Sequence, residues 1–155
     1  MTGPTEAELA DVVARLRRAM RRAARTADPG NPLSVAQLEL LSCLAENPGA
    51  QPSQVARALR LAPNSVTTLV NGLRTRDLVT RVSGTGDRRT VRLALTAAGE
   101  DAVRHWQHTN ANILRAALAD LHPGWRHVLT AALPALHELV GAIDDLAPED
   151  LSRAR

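Results

Sequence analysis

The sequence predicts a mainly α fold carrying one small β-hairpin, and three observations predict it. Most of the chain repeats its apolar residues every three or four positions, the spacing of one helix face. One stretch, residues 78–95, changes to a two-residue alternation and is interrupted by the turn-forming run Ser83-Gly84-Thr85-Gly86-Asp87. The 155-residue chain has no Phe or Tyr and only Trp106 and Trp125 as aromatics. Its core must therefore be built from Leu, Val, Ala and Ile, which suits packed helices better than a large sheet. That length supports one domain with a buried core and is short for two.

Thr5 and Glu8 form a capping box that opens a first helix, Thr5 to Ala27, with Leu9, Val12, Val13, Leu16 and Met20 at helical spacing. Asp28-Pro29-Gly30-Asn31-Pro32 ends it. Ser34 and Gln37 form a second capping box, with Leu33 and Leu38 at the staple positions around it. The helix that follows, Val35 to Glu46, points Leu38, Leu41, Leu44 and Ala45 inward and closes at Asn47-Pro48-Gly49. Pro52 suits a first helical position and opens a short helix to Leu59. After Arg60-Leu61-Ala62, a further helix runs from Pro63 to about Arg76 on the apolar face Val66, Leu69, Val70 and Leu73. Two short helices joined by a turn of a few residues form a helix-turn-helix pattern. Leu78 to Val82 and Val91 to Leu95 read as the hairpin strands, and they need the preceding helices as support. Thr96 caps a long helix from Ala97 to about Leu121 with Trp106, Ile113, Leu114, Ala117, Leu118 and Leu121 as its stripe. His122-Pro123-Gly124 breaks the chain before a last helix, in which Pro134 predicts a kink or a restart.

The net charge of +3 is unevenly distributed, and all 19 basic residues are Arg. Residues 1–50 are neutral overall, and residues 93–155 carry an acidic excess of three. Residues 51–92 hold eight Arg (57, 60, 74, 76, 81, 88, 89 and 92) against Asp77 and Asp87, an excess of +6. Such a patch is an electrostatic footprint for a polyanion. The single Cys43 rules out an internal disulfide and fits a reducing cytoplasm, and its apolar neighbours Leu41 and Leu44 favour a buried, inert thiol. No membrane span or signal-like run is expected. There is no G-x-S-x-G, phosphate loop, H-E-x-x-H or paired Cys motif, so no enzyme and no cofactor are expected. His105 and His108 share a helix face, but a zinc site needs three or four converging ligands, and none is expected.

The ordered set Leu33-Ser34-Val35-Ala36-Gln37-Leu38, Leu69-Val70-Asn71-Gly72-Leu73, Leu78-Val79-Thr80-Arg81, Asp87-Arg88-Arg89 and Leu95-Thr96-Ala97-Ala98-Gly99 resembles the MarR family of bacterial regulators. The resemblance covers nearly the whole chain and is most specific in the strand-turn-Asp-Arg-Arg-strand-Leu-Thr-x-x-Gly segment. It implies a winged helix-turn-helix lobe at 33–96 within a single 1–155 domain, with 5–27 and 97–147 as dimerisation helices that interlock between subunits. Asp77 stands where the family usually has Gly, and Asp tolerates the left-handed backbone better than most residues. A two-fold dimer would place two recognition helices on half-sites roughly 34 Å apart.

The polar face of the fourth helix makes physical sense independently. A helix entering the major groove needs small polar side chains near its N-terminus, where backbone N–H groups also face phosphate. Pro63, Asn64, Ser65, Thr67, Thr68 and Asn71 supply that surface, and Arg74 follows near its end. An ordinary solvated face would carry Glu and Lys, and this one carries neither. In the hairpin, Arg89 is the residue expected in the minor groove, where narrow A·T tracts concentrate negative potential. Asp87 would orient Arg89 by a charge-assisted hydrogen bond, while Arg81 and Arg88 suit phosphate. The expected function is a ligand-responsive, homodimeric, cytoplasmic DNA-binding repressor. A small-molecule effector would sit between the DNA-binding lobe and the dimerisation helices, with Trp106, His105 and Arg17 as pocket groups. The alternative is a winged-helix protein–protein assembly module, which would call for an acidic or apolar recognition face.

Overall fold

The computed structural model describes residues 5–83 and 90–146. Its elements run α1 (Glu6–Ala27), α2 (Val35–Glu46), α3 (Pro52–Leu59), α4 (Pro63–Thr75), β1 (Val79–Ser83), β2 (Val91–Leu95), α5 (Ala97–Ala119), α6 (Pro123–Ala131) and α7 (Leu133–Asp144). This is the mainly α architecture with one hairpin that the sequence predicts. Two compact units divide the chain, Met1–Ile113 and Leu114–Arg155.

In the first unit, local chemistry sets the helix ends. The Thr5 hydroxyl accepts from the Glu8 N–H at 3.3 Å and starts α1. The α2 capping box is complete: Gln37 N–H donates to the Ser34 hydroxyl at 3.2 Å, and Ser34 N–H donates to Gln37 Oε1 at 2.9 Å. Gln54 Oε1 accepts from Gln51 N–H at 2.8 Å at the start of α3.

The core is assembled from α2, α3, α4 and the hairpin. Leu40, Leu41, Val55, Val66, Val70, Leu73 and Leu93 are its fully buried side chains, each contributing roughly 1.5–3 kcal/mol by leaving water. One expectation needs correcting. In α2 the buried set is Leu38, Leu40, Leu41, Cys43 and Leu44, while Ala45 is exposed. Packing against α3, α4 and β2 covers more of α2 than one stripe.

β1 and β2 pair antiparallel, with Val79 opposite Leu95, Arg81 opposite Leu93 and Ser83 opposite Val91. Val79 and Leu93 point inward. The far side of β2 is bonded to the α2–α3 connection, where Leu93 N–H donates to the Ala50 carbonyl at 2.9 Å. Arg92 Nη1 donates to the Gly49 carbonyl at 3.2 Å.

The hairpin joins α5 through one tight junction. The Thr96 hydroxyl donates to the Asp77 carbonyl at 2.6 Å, and Thr96 N–H donates to the Leu78 carbonyl at 3.1 Å. Gly99 N–H in turn donates to the Thr96 hydroxyl at 3.0 Å. Gly99 lies so close to the Leu78 carbonyl that an added Cβ would drive into it. Asp77 takes the left-handed backbone, φ 56°, the conformation that the family's usual Gly implies for this position.

In the second unit, the Arg126 side chain folds back to the end of α5. It donates to the Leu118 and Ala119 carbonyls at 2.9 and 3.1 Å, satisfying oxygens that the helix terminus leaves open. The last helical segment is two helices, α6 and α7, with the restart at Leu133 immediately before Pro134. Proline has no N–H to give and suits the first turn of a new helix.

Candidate nucleic-acid interface

Val66, Val70 and Leu73 anchor α4 in the core and so decide which of its faces meets solvent. Asn64, Ser65, Thr67, Thr68, Asn71, Arg74 and Thr75 are all exposed, with Pro63 at the first turn. The chain enters α4 from α3 through Arg60, which sits at φ 51° and turns the backbone sharply. No side chain caps the α4 N-terminus. Pro63 brings no N–H and the Ser65 N–H is taken by Asn64 Oδ1, so the Asn64 N–H is the first-turn donor left to face a phosphate.

Several polar groups on this face are already engaged with the helix itself. Thr67 and Thr68 hydroxyls donate to the Pro63 and Asn64 carbonyls, both at 3.0 Å. Thr75 does the same to Asn71 at 2.9 Å. Asn64 Oδ1 accepts from the Ser65 N–H at 2.9 Å. Sequence reasoning passed over Thr75, which continues the row Asn64, Thr68, Asn71 at i, i+4, i+7 and i+11. The signal was there in the helical period. Gly72 lies off this row: a Cβ there would sit 3.1 Å from Gln37 Nε2, towards α2.

Arg57 on α3, Arg60 in the turn, Arg74 and Arg76 at the α4 end, and Arg81 on β1 are exposed. None of these five forms an ion pair among the described residues, which leaves their charge available to an anion. Arg92 has its guanidinium on the Gly49 carbonyl. Asp87, Arg88 and Arg89, assigned from the sequence to the wing tip, lie outside the described residues.

The three residues assigned to a small-molecule pocket are not brought to one place. Trp106 is half-buried and lines a cleft of about 370 Å³ with Arg21, Arg25, Asp28, Leu33 and Leu38. His105 lines a neighbouring cleft of about 500 Å³, which shares Asp28, Asn31 and Leu33 with the first. Arg17 lines neither and instead pairs with Glu39 at 3.5 Å, beside Arg21 at 3.1 Å. Between the clefts, His105 Nε2 meets Asp28 Oδ2 at 2.8 Å, and Asn31 Nδ2 donates to the same oxygen at 3.0 Å. The hydrogen bonds from His105 and Asn31 hold the Asp28 carboxyl below the usual carboxylate range. Among the described residues, no three of His, Cys, Asp and Glu converge as a metal site would need.

Comparison with known proteins places this geometry. Residues 33–91 match the model of the MarR family. Over 121 residues the chain is 27% identical to an uncharacterized HTH-type transcriptional regulator, Mb0904, of Mycobacterium bovis, covering 78% of this chain and 85% of the relative. The HTH-type transcriptional regulator MT0903.1 of Mycobacterium tuberculosis matches to the same extent. Among solved structures, a MarR family protein from Bacillus stearothermophilus superposes with a TM-score of 0.76 at 23% identity, covering 91% of this chain and 99% of that one. FabT of Streptococcus pneumoniae, solved in complex with DNA, superposes with a TM-score of 0.68 at 20% identity, over 86% of this chain and 95% of that one.

Proposed function

We propose that this chain, whose residues 33–91 match the MarR family model, is a MarR-type, sequence-specific DNA-binding transcription regulator acting as a homodimer. The observation that carries the reading is the α4 face. It is an exposed, acid-free row of small polar side chains, held outward by a buried Val66–Val70–Leu73 seam and followed by a hairpin. In this reading α4 lies in the major groove, Arg74 and Arg81 meet phosphate, and Asp87, Arg88 and Arg89 form the wing contact.

The homodimer is supported by apolar surface that a single chain leaves bare. Leu9, Val12, Val13 and Leu16 of α1 are exposed, as are Val128, Leu129, Leu133, Leu136, Val140 and Ile143 of α6 and α7. A run of exposed apolar side chains along a helix, on α1 or on α6 and α7, marks an interaction site. No described helix is long and apolar enough to cross a membrane. We assign no enzymatic activity, and the cytoplasm as the place of work. A small-molecule effector would enter the clefts beside Trp106 and His105, whose volumes fall in the range of ligand pockets. Bound there, it would act by differential affinity for DNA-competent and DNA-incompetent conformations.

The test is binding of the full-length protein to its own upstream intergenic DNA and to scrambled DNA, across a salt series. Preference of at least a hundredfold for the intergenic fragment, with affinity falling steeply as salt rises, is the expected result. Equal affinity for both fragments would overturn the regulator reading.

A further inference from the structure

The hydrogen-bond state of α4 narrows what kind of DNA it reads, given that it reads DNA at all. A threonine facing solvent ordinarily offers a donor, an acceptor and a methyl group. The Thr68 hydroxyl hydrogen is directed to the Asn64 carbonyl at 3.0 Å. Its outward offer is therefore a methyl group and oxygen lone pairs. Asn64 has its own oxygen on the Ser65 N–H, which leaves its amide hydrogens to point outward. Asn71 is exposed, and its side-chain amide has no partner among the described residues, so donor and acceptor are both free.

Two of these offers, those of Asn71 and Thr68, have a base-specific match in the major groove, while the Asn64 donors suit an acceptor on several bases. An amide with both functions free pairs with the N6 and N7 edge of adenine, and a methyl packs against the C5-methyl of thymine. Guanine is read by paired donors on Arg or Lys, and the cytosine amino group by a carboxylate. The row Asn64, Thr68, Asn71 has neither, and the chain contains no Lys at all. Arg74 follows Asn64 by ten positions and so projects from the flank of the helix, on the side of Pro63 and Thr67 but at its far end, where the groove wall carries phosphate.

We propose that the half-site read by α4 is A·T-rich, with an adenine edge on Asn71 and a thymine methyl against Thr68. This rests on the regulator reading above.

The experiment is selection of bound duplexes from a random library by the full-length protein. The positions read by α4 are those whose base preference relaxes in Asn71→Ala or Thr68→Ser. A·T pairs are expected there, with Asn71→Ala weakening the selected site about tenfold or more. Replacing the thymines at those positions by deoxyuridine removes only their methyl groups. For the one that meets Thr68, a loss of about three- to fivefold is expected. Thr68→Ser should lose a similar factor on thymine DNA and nothing further on deoxyuridine DNA. Recovery of a defined site with G·C at those positions, or indifference to deoxyuridine, overturns the proposal and leaves the regulator reading standing. Failure to enrich any sequence removes both.

Discussion

Cys43 illustrates how an environment decides what a side chain does. Its thiol is buried on α2, and burial together with the nearby Glu46 carboxylate pushes its pKa above the ordinary thiol value. The hydrogen bond from Asn47 Nδ2 to Cys43 Sγ, at 4.0 Å between the heavy atoms, opposes this only weakly. A thiolate is the reactive species, so native Cys43 should react with a thiol reagent at pH 7.4 at least tenfold more slowly than the same protein in denaturant. The measurement is a stopped-flow labelling course, and equal rates would place the thiol in water. Its burial was legible from Leu41 and Leu44 on either side. The opposite error at Ala45 was not avoidable from spacing alone. Periodicity gives the direction of a side chain and not what lies there: the surrounding elements bury Leu40 and Cys43 beyond the expected stripe and leave Ala45, in the last turn of α2, uncovered.

At the scale of elements, the junction between the hairpin and α5 ties the recognition lobe to the long helix. Thr96 joins the two by its hydroxyl and its N–H, and Gly99 supplies the missing volume that lets α5 approach the Leu78 backbone. Gly99→Ala adds a methyl group with backbone, not a flexible side chain, in its way. We expect a loss of about 1–3 kcal/mol in urea unfolding, with a lower melting temperature. No change would mean that α5 slides freely over the hairpin. The same segment was among the clearest in the sequence, because Leu-Thr-x-x-Gly has fixed spacing. By contrast, the clefts beside Trp106 and His105 could not be placed from sequence. They depend on where Asp28, Asn31 and Leu33 bring the α1–α2 connection against α5, and Arg17 is drawn away from them by Glu39.

For the whole molecule, the division of charge and the bare apolar faces carry the argument. The +6 excess in residues 51–92 coincides with α3, α4 and the hairpin, while the overall charge of +3 conceals it. Leu16 is 55% exposed in the single chain, so its replacement by Glu removes little from the chain's own core. Leu16→Glu should therefore keep its helical circular dichroism, run as a monomer in light scattering, and lose at least tenfold in DNA affinity. A dimer of normal affinity would move the interface elsewhere. The helix order was readable from caps and breakers, Ser34 and Gln37 or Pro52 and Pro63 among them. The division of the last segment into two helices was foreshadowed by Pro134.

Because Ala50 covers one side of β2, β1 is left as the outer rail of the hairpin. Its own far side has no strand partner among the described residues. An open rail of five residues invites another chain to add a strand to it. Thr80 and Arg81 stand exposed along it, and a cation in the middle of an edge discourages such stacking. The side chain we assign to phosphate thus also places a positive charge at the middle of the hairpin edge that no other described strand covers.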